Sequence, residues 1–117
     1  MEQLKVLYGE GDAKHLAALT AALKKEGFQV TTTVGRGDFE RQLAGAQFDV
    51  AVLGHTLSRD DRHHLPYMIR KAHADTQILV LHASGKHPEV DLAMDSRRGE
   101  RAILEAIEQL AGRMVAA

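Results

Sequence analysis

Two short apolar runs, Val50-Ala51-Val52-Leu53 and Ile78-Leu79-Val80-Leu81, carry no polar alternation. A strand with one wet face alternates polar with apolar residues. An unbroken run of this length fits a strand covered on both faces, as in a parallel sheet flanked by helices. These two runs are therefore expected at the centre of a sheet. The intervening residues 60–74 place Leu65, Met68, Ile69 and Ala72 at helical spacing, the crossover that two parallel strands need. Pro66 is expected to confine that helix to the residues after it, or to a first turn containing it.

The rest of the chain continues the pattern. Residues 4–8, with Val6 and Leu7, predict a first strand ended by Gly9-Glu10-Gly11. Asp12 can cap a helix carrying Leu16, Leu19 and Leu23, which Gly27 stops. Phe28, Val30, Thr32 and Val34 alternate with Gln29, Thr31 and Thr33, the period-two pattern of an edge strand with one wetter face. Gly35 to Gly37 are expected to turn the chain, and Asp38 to cap a weaker helix through Phe39 and Leu43 to about Gly45. Residues 90–94 predict a short last strand. Ser96 is placed to cap a final helix whose stripe is Ile103, Ile107, Leu110 and Met114, widened by Leu104 and Ala111.

Strands alternating with helices in this order imply right-handed crossovers and a three-layer, doubly wound α/β domain, five parallel strands in the order 2-1-3-4-5. At 117 residues the chain suits a single domain, residues 1–117, with one core. Lys plus Arg (15) nearly balance Asp plus Glu (16), so no strong field favours nucleic acid or an anionic membrane. There is no cysteine, which excludes disulfides and thiolate chemistry and fits a reducing compartment. No stretch approaches the ~18 apolar residues of a membrane helix. The expected setting is cytoplasmic, with no cofactor.

Three segments, in this order and spacing, resemble the receiver domain of bacterial response regulators. They are Leu4-Lys5-Val6-Leu7-Tyr8-Gly9-Glu10-Gly11-Asp12, Phe48-Asp49-Val50-Ala51-Val52-Leu53-Gly54 and Gln77-Ile78-Leu79-Val80-Leu81-His82-Ala83. The resemblance covers nearly the whole chain and implies a flavodoxin-like fold. It further implies an aspartate phosphorylated at the end of strand three, and magnesium held by two acids after strand one.

This chain departs from that pattern at each chemical position. Gly54 falls where the phosphorylated aspartate belongs, and a glycine can form no acyl phosphate. The acid pair falls on Glu10 and Gly11, leaving one carboxylate unless Asp12 swings in, and a single exposed carboxylate is a poor magnesium site. The family's Ser or Thr after strand four aligns with His82, and its Lys-Pro after strand five with Asp95-Ser96. The family's helix between strands four and five has no room, since only residues 83–90 separate His82 from Asp91 and a helical crossover needs at least ~10 residues. An extended link of that length spans about 26 Å, and Ser84-Gly85-Lys86-His87-Pro88-Glu89 has turn chemistry.

The resemblance therefore implies a degenerate, non-phosphorylatable receiver domain that is not an enzyme and acts by binding a protein partner, with homodimerisation through the face the missing helix exposes. Val90, Leu92, Met94, Arg97 and Arg98 are the expected contact residues. The alternative is a metal or small-ligand sensor using Glu10, His55, His82 and Asp95, all at strand ends where such sheets bind ligands. His63-His64 cannot readily share a metal, because neighbours on a helix point roughly 100° apart, and they fit solvated surface, as His15 and His73 fit packing or surface. Gly9-Glu10-Gly11 lacks the longer phosphate-loop pattern. No serine, histidine and acid suggest a catalytic triad.

Overall fold

The unalternated runs form the middle of a parallel sheet, as their composition requires. In chain order the elements are β1 (Lys5–Glu10), α1 (Ala17–Lys25), β2 (Gln29–Val34), α2 (Gly35–Gly45), β3 (Val50–Leu53), α3 (Arg59–Ala72), β4 (Gln77–Val80), β5 (Leu92–Ala93) and α4 (Glu100–Ala116). Short 3-10 turns, Ala13–His15 and Ser96–Arg98, precede α1 and α4. The structure, a computed structural model, describes residues 3–82 and 87–116, with side chains as far as residue 112. Residues 83–86 and the side chain of Met114, both assigned roles from the sequence, lie outside the described residues.

The strand order is β2-β1-β3-β4-β5, with every pair parallel. Helices α1 and α4 cover one face of the sheet, where Val6, Tyr8, Val52, Leu79 and Ile107 form part of one core. Helices α2 and α3 cover the other, over Leu7, Phe39, Ala51, Leu53 and Ile78. Strand β2 lies at the edge as expected, pairing only with β1, but at its carboxyl end the faces are exchanged, with Thr33 buried and Val34 exposed.

Several boundaries differ from expectation for local reasons. Strand β1 does not end at Tyr8, because Gly9 pairs on both sides, with Thr33 and Leu53, and Glu10 pairs with Val34. Within the strand only glycine fits at position 9, because a Cβ there would lie 2.6 Å from the Phe39 ring and 2.7 Å from Thr33 Oγ1. Asp12 caps the 3-10 turn rather than α1 itself, accepting from the Lys14 N–H at 3.0 Å. Helix α2 begins at Gly35, whose φ of 79° turns the chain. The Asp38 carboxylate reaches back to the Val34 N–H at 3.1 Å.

Pro66 neither starts nor delays α3. Ser58 caps the helix by accepting from the Asp61 N–H at 3.1 Å, and Pro66 lies buried inside it. Its missing N–H forgoes one helical bond, and the helix continues through it with Leu65, Pro66 and Ile69 buried. The last strand is Leu92–Ala93 rather than residues 90–94. Ser96 does not cap α4: Asp95 caps a 3-10 turn, Gly99 (φ 97°) breaks it, and α4 starts at Glu100.

No helix lies between β4 and β5 among the described residues. Residues 87–91 instead return alongside α3 in a link closed by a Val90 N–H to His87 carbonyl bond of 3.2 Å, and the Asp91 N–H joins the Ile78 carbonyl at 3.0 Å. Arg70, on α3, holds this link. Its guanidinium donates to the carbonyls of Ala74 (2.6 Å), Thr76 (2.9 Å) and Glu89 (3.0 Å), and to the carboxylates of Glu89 (3.2 Å) and Asp91 (3.1 Å).

Candidate functional site

Glu10 ends β1, Gly54 follows β3, and the two meet at the carboxyl edge of the sheet, where ligands bind in this class of fold. Glu10 is 1% exposed, not the exposed carboxylate expected from the sequence. A Cβ built on Gly54 would lie 1.9 Å from both Cδ and Oε1 of Glu10. The Glu10 carboxylate therefore occupies the space that any side chain at position 54 would need.

That carboxylate is held by donors that the sequence did not single out. Oε1 accepts from the Thr56 N–H at 3.0 Å and the Thr56 hydroxyl at 2.7 Å, while Oε2 accepts from the Tyr8 hydroxyl. The Thr56 hydroxyl in turn accepts from the Gly11 and Asp12 N–H groups at 2.9 and 3.1 Å. Gly11 permits this approach: a Cβ there would lie 2.2 Å from the Thr56 carbonyl oxygen. Tyr8 was findable in principle, since residues two apart on a strand share a face, but only had β1 been extended through Glu10.

Burial pushes the Tyr8 phenol well above the ordinary tyrosine range, and its bond to Glu10 and the charge there push it the same way. A folded-state value raised above the unfolded one gives stability that is complete below the unfolded value near pH ~10 and is lost as pH rises beyond it. In a Tyr67→Phe variant, Tyr8 is the only tyrosine left. Its tyrosinate absorbance is expected to appear together with unfolding monitored by circular dichroism, and tyrosinate forming in the folded protein would contradict this burial.

The magnesium that the receiver resemblance implies requires several oxygen ligands in fixed geometry. The residues here do not fit it. Glu10 is buried and spent on Tyr8 and Thr56, Gly11 and Gly54 supply no side-chain oxygen, and Asp12 caps its own turn.

The alternative ligand set does not assemble either. His55 Nδ1 lies 4.0 Å from Glu10 Oε2, and its ring meets His15 edge-on at 5.0 Å. Asp95 is committed to Arg97, with their closest approach 2.6 Å. The Arg97 guanidinium and N–H hold its carboxyl down at about 2, with the charge of His82 adding a little. Among the described residues no three His, Asp or Glu side chains are placed to hold a metal ion.

The expected contact residues separate into two groups. Arg97 and Arg98 are exposed, and Val90 and Leu92 are half-buried beside the link. Met94 is 5% exposed and belongs to the core beneath α4, so it does not contribute to a contact surface. It follows the two-residue strand and shares its core cluster with Ile103 and Ile107.

No family model matches the sequence, and no curated protein matches it. The comparison by structure is different. A response regulator receiver domain protein from Methanospirillum hungatei superposes with a TM-score of 0.87 over 98% of both chains, at 15% identity. The fold is the receiver fold. A signal receiver domain of an HD domain-containing protein from Pseudomonas fluorescens gives 0.85 over 99% of this chain and 92% of its own, at 14% identity. A two-component response regulator from Clostridium difficile gives 0.83 over 96% and 98%, at 17% identity. Within the receiver fold the carboxyl edge of β1 and β3 is the region just described, filled here by Glu10 packed over Gly54.

Proposed function

We propose that this chain is a degenerate receiver domain, a non-enzymatic protein-interaction module of bacterial two-component-type signalling that works in the cytoplasm without being phosphorylated. One observation carries the reading: the Glu10 carboxylate fills the volume over Gly54, so the edge of β3 has neither a nucleophile nor room for one. Among the structural neighbours, a response regulator from Burkholderia pseudomallei carries a phosphorylated aspartic acid and a calcium ion, and one from Thermotoga maritima is a complex with magnesium and a beryllium fluoride. The buried Tyr8–Glu10–Thr56 network is arranged instead to hold one conformation.

Val90 and Leu92 beside the link, with Arg97 and Arg98, form the proposed partner surface, and self-association through it is part of the proposal. No described helix is long and apolar enough to cross a membrane, and the near-balanced charge favours a protein partner over nucleic acid.

Incubation with acetyl phosphate and magnesium, followed by intact-mass measurement, is expected to give no phosphoryl increment. An increment mapped to any aspartate would overturn the reading. Sedimentation at high concentration is expected to show a dimer that a double reversal, Arg97→Glu with Arg98→Glu, dissociates, and a monomer throughout would remove self-association from it.

A further inference from the structure

Where the link replaces a helix, a cleft of about 840 Å³ opens between the first turns of α3, the ends of β4 and β5, and residues 87–91. This volume lies within the range of sites for small molecules, which combine an apolar lining with a few placed polar groups. Val80, Pro88, Val90, Leu92 and Ala93 supply the apolar part. The rings of His63 and His87 also line it, 5.1 Å apart.

The polar groups facing this space are mostly donors. Arg59 and Arg62 come from the first turn of α3, and neither has a carboxylate partner among the described residues. One amino group of Arg62 is used on the carbonyls of His55 and Leu57, leaving its other N–H groups available. His82 adds a ring whose Nδ1 is buried without a hydrogen-bond partner among the described residues. The one acid in the lining among the described residues, Asp91, is already engaged by Arg70 at 3.1 Å and the Ile78 N–H at 2.7 Å. His87 is likewise committed: its Nδ1 accepts from the Glu89 N–H at 3.1 Å, so its Nε2 carries the hydrogen donated to the His63 carbonyl at 2.8 Å. It offers a flat face.

We propose that this cleft binds a small organic anion, an aromatic or heterocyclic body bearing a carboxylate or phosphate group. The head is met by Arg59, Arg62 and His82, with planar guanidinium groups suited to two-oxygen recognition. The start of α3 adds its N-terminal dipole. The body lies on Pro88, Val90 and Ala93 against the two imidazole faces. This site is distinct from the Glu10–Gly54 edge, whose reading the phosphodonor experiment tests separately, and it shares Val90 and Leu92 with the proposed partner surface.

Titrations followed by calorimetry and by amide shifts of the isotope-labelled protein test it, using phenyl phosphate, benzoate, the neutral benzamide and inorganic phosphate. One or both aromatic anions are expected to bind saturably at one site, with shifts centred on residues 80–82 and 87–93. Benzamide and inorganic phosphate are each expected to bind about tenfold more weakly or worse, since each lacks half of the recognition. Which aromatic anion binds more tightly distinguishes a phosphate from a carboxylate ligand. Arg59→Glu is expected to weaken the better probe at least about tenfold. That variant keeps the fold, because an acid is favoured in the first turn of a helix. Ala93→Phe, at an exposed position, should block the cleft and remove the shifts. Absence of saturable binding by both aromatic anions up to about 10 mM, or binding unchanged in both variants, would overturn the proposal.

Discussion

Gly54→Ala is expected to destabilise the protein by about 3–5 kcal/mol, far more than a methyl group usually costs at a strand end. The new Cβ would sit 1.9 Å from the Glu10 Cδ, so the carboxylate must leave or the strands must separate. If it leaves, the part-buried Thr56 N–H and hydroxyl lose their acceptor and the Tyr8 hydroxyl keeps only the His15 carbonyl at 3.1 Å, and a buried group left unpaired costs about 1–3 kcal/mol. Against a total of about 5–15 kcal/mol for a domain, this is about a fifth of the stability or more. The melting temperature should fall by about 10 °C or more.

The cause is separable by a double-mutant cycle in urea. In a Glu10→Ala background the space over Gly54 is free, and the same substitution should cost below about 1 kcal/mol. Equal costs in both backgrounds would mean that Glu10 does not occupy that volume. Gly54→Asp should be worse still, because it forces two carboxylates into one buried space. Placing an acid at this position therefore should not confer phosphorylation.

What the sequence disclosed, and what it hid, divides along contact range. Val50–Leu53 and the run beginning at Ile78 announced their burial through composition alone, and β2 announced its edge position by alternation, because both are one-dimensional signals. The absence of a helix between β4 and β5 among the described residues was legible as arithmetic, since too few residues separate His82 from Asp91. Pro66 misled because proline is a local veto that the tertiary setting of α3, with Leu65 and Ile69 in the core on either side of it, overrode. Gly54 was noticed as an absence, whereas its physical meaning lies in a contact with a residue on another strand. Thr56 meets Glu10 across 46 positions, and Arg70 meets Glu89 and Asp91 across 19 and 21. No periodicity connects such pairs. The four strand-end residues shared an edge as expected, but their partners, Thr56 for Glu10 and Arg97 for Asp95, took them out of a common site.

Arg70→Met is expected to cost about 2–4 kcal/mol and to loosen one region selectively. The guanidinium is about a quarter exposed, so its ion pairs are partly screened and the larger share of the loss comes from the part-buried carbonyls of Thr76 and Glu89, while the exposed Ala74 carbonyl turns to water. Met preserves the apolar stem against α3, which isolates the polar effect. Asp91 retains the Ile78 N–H at 2.7 Å, so the first bond of the β4–β5 pairing survives, but Glu89 and the link lose their tie to the helix. Strand β5 has two residues and pairs on one side only, and without that tie it should open locally well before the whole domain unfolds. Native-state hydrogen exchange should then accelerate at Asp91 and Met94, whose amides bond across to β4, beyond what the global loss explains. Amides of Val6 to Tyr8 and Val50 to Leu53 should slow or hasten only with global stability. Arg70→Lys should recover less than half of the loss, since one ammonium cannot reach three carbonyls and two carboxylates at once. Uniform acceleration across the sheet would show instead that the link is held by its apolar contacts, with Arg70 contributing only to overall stability.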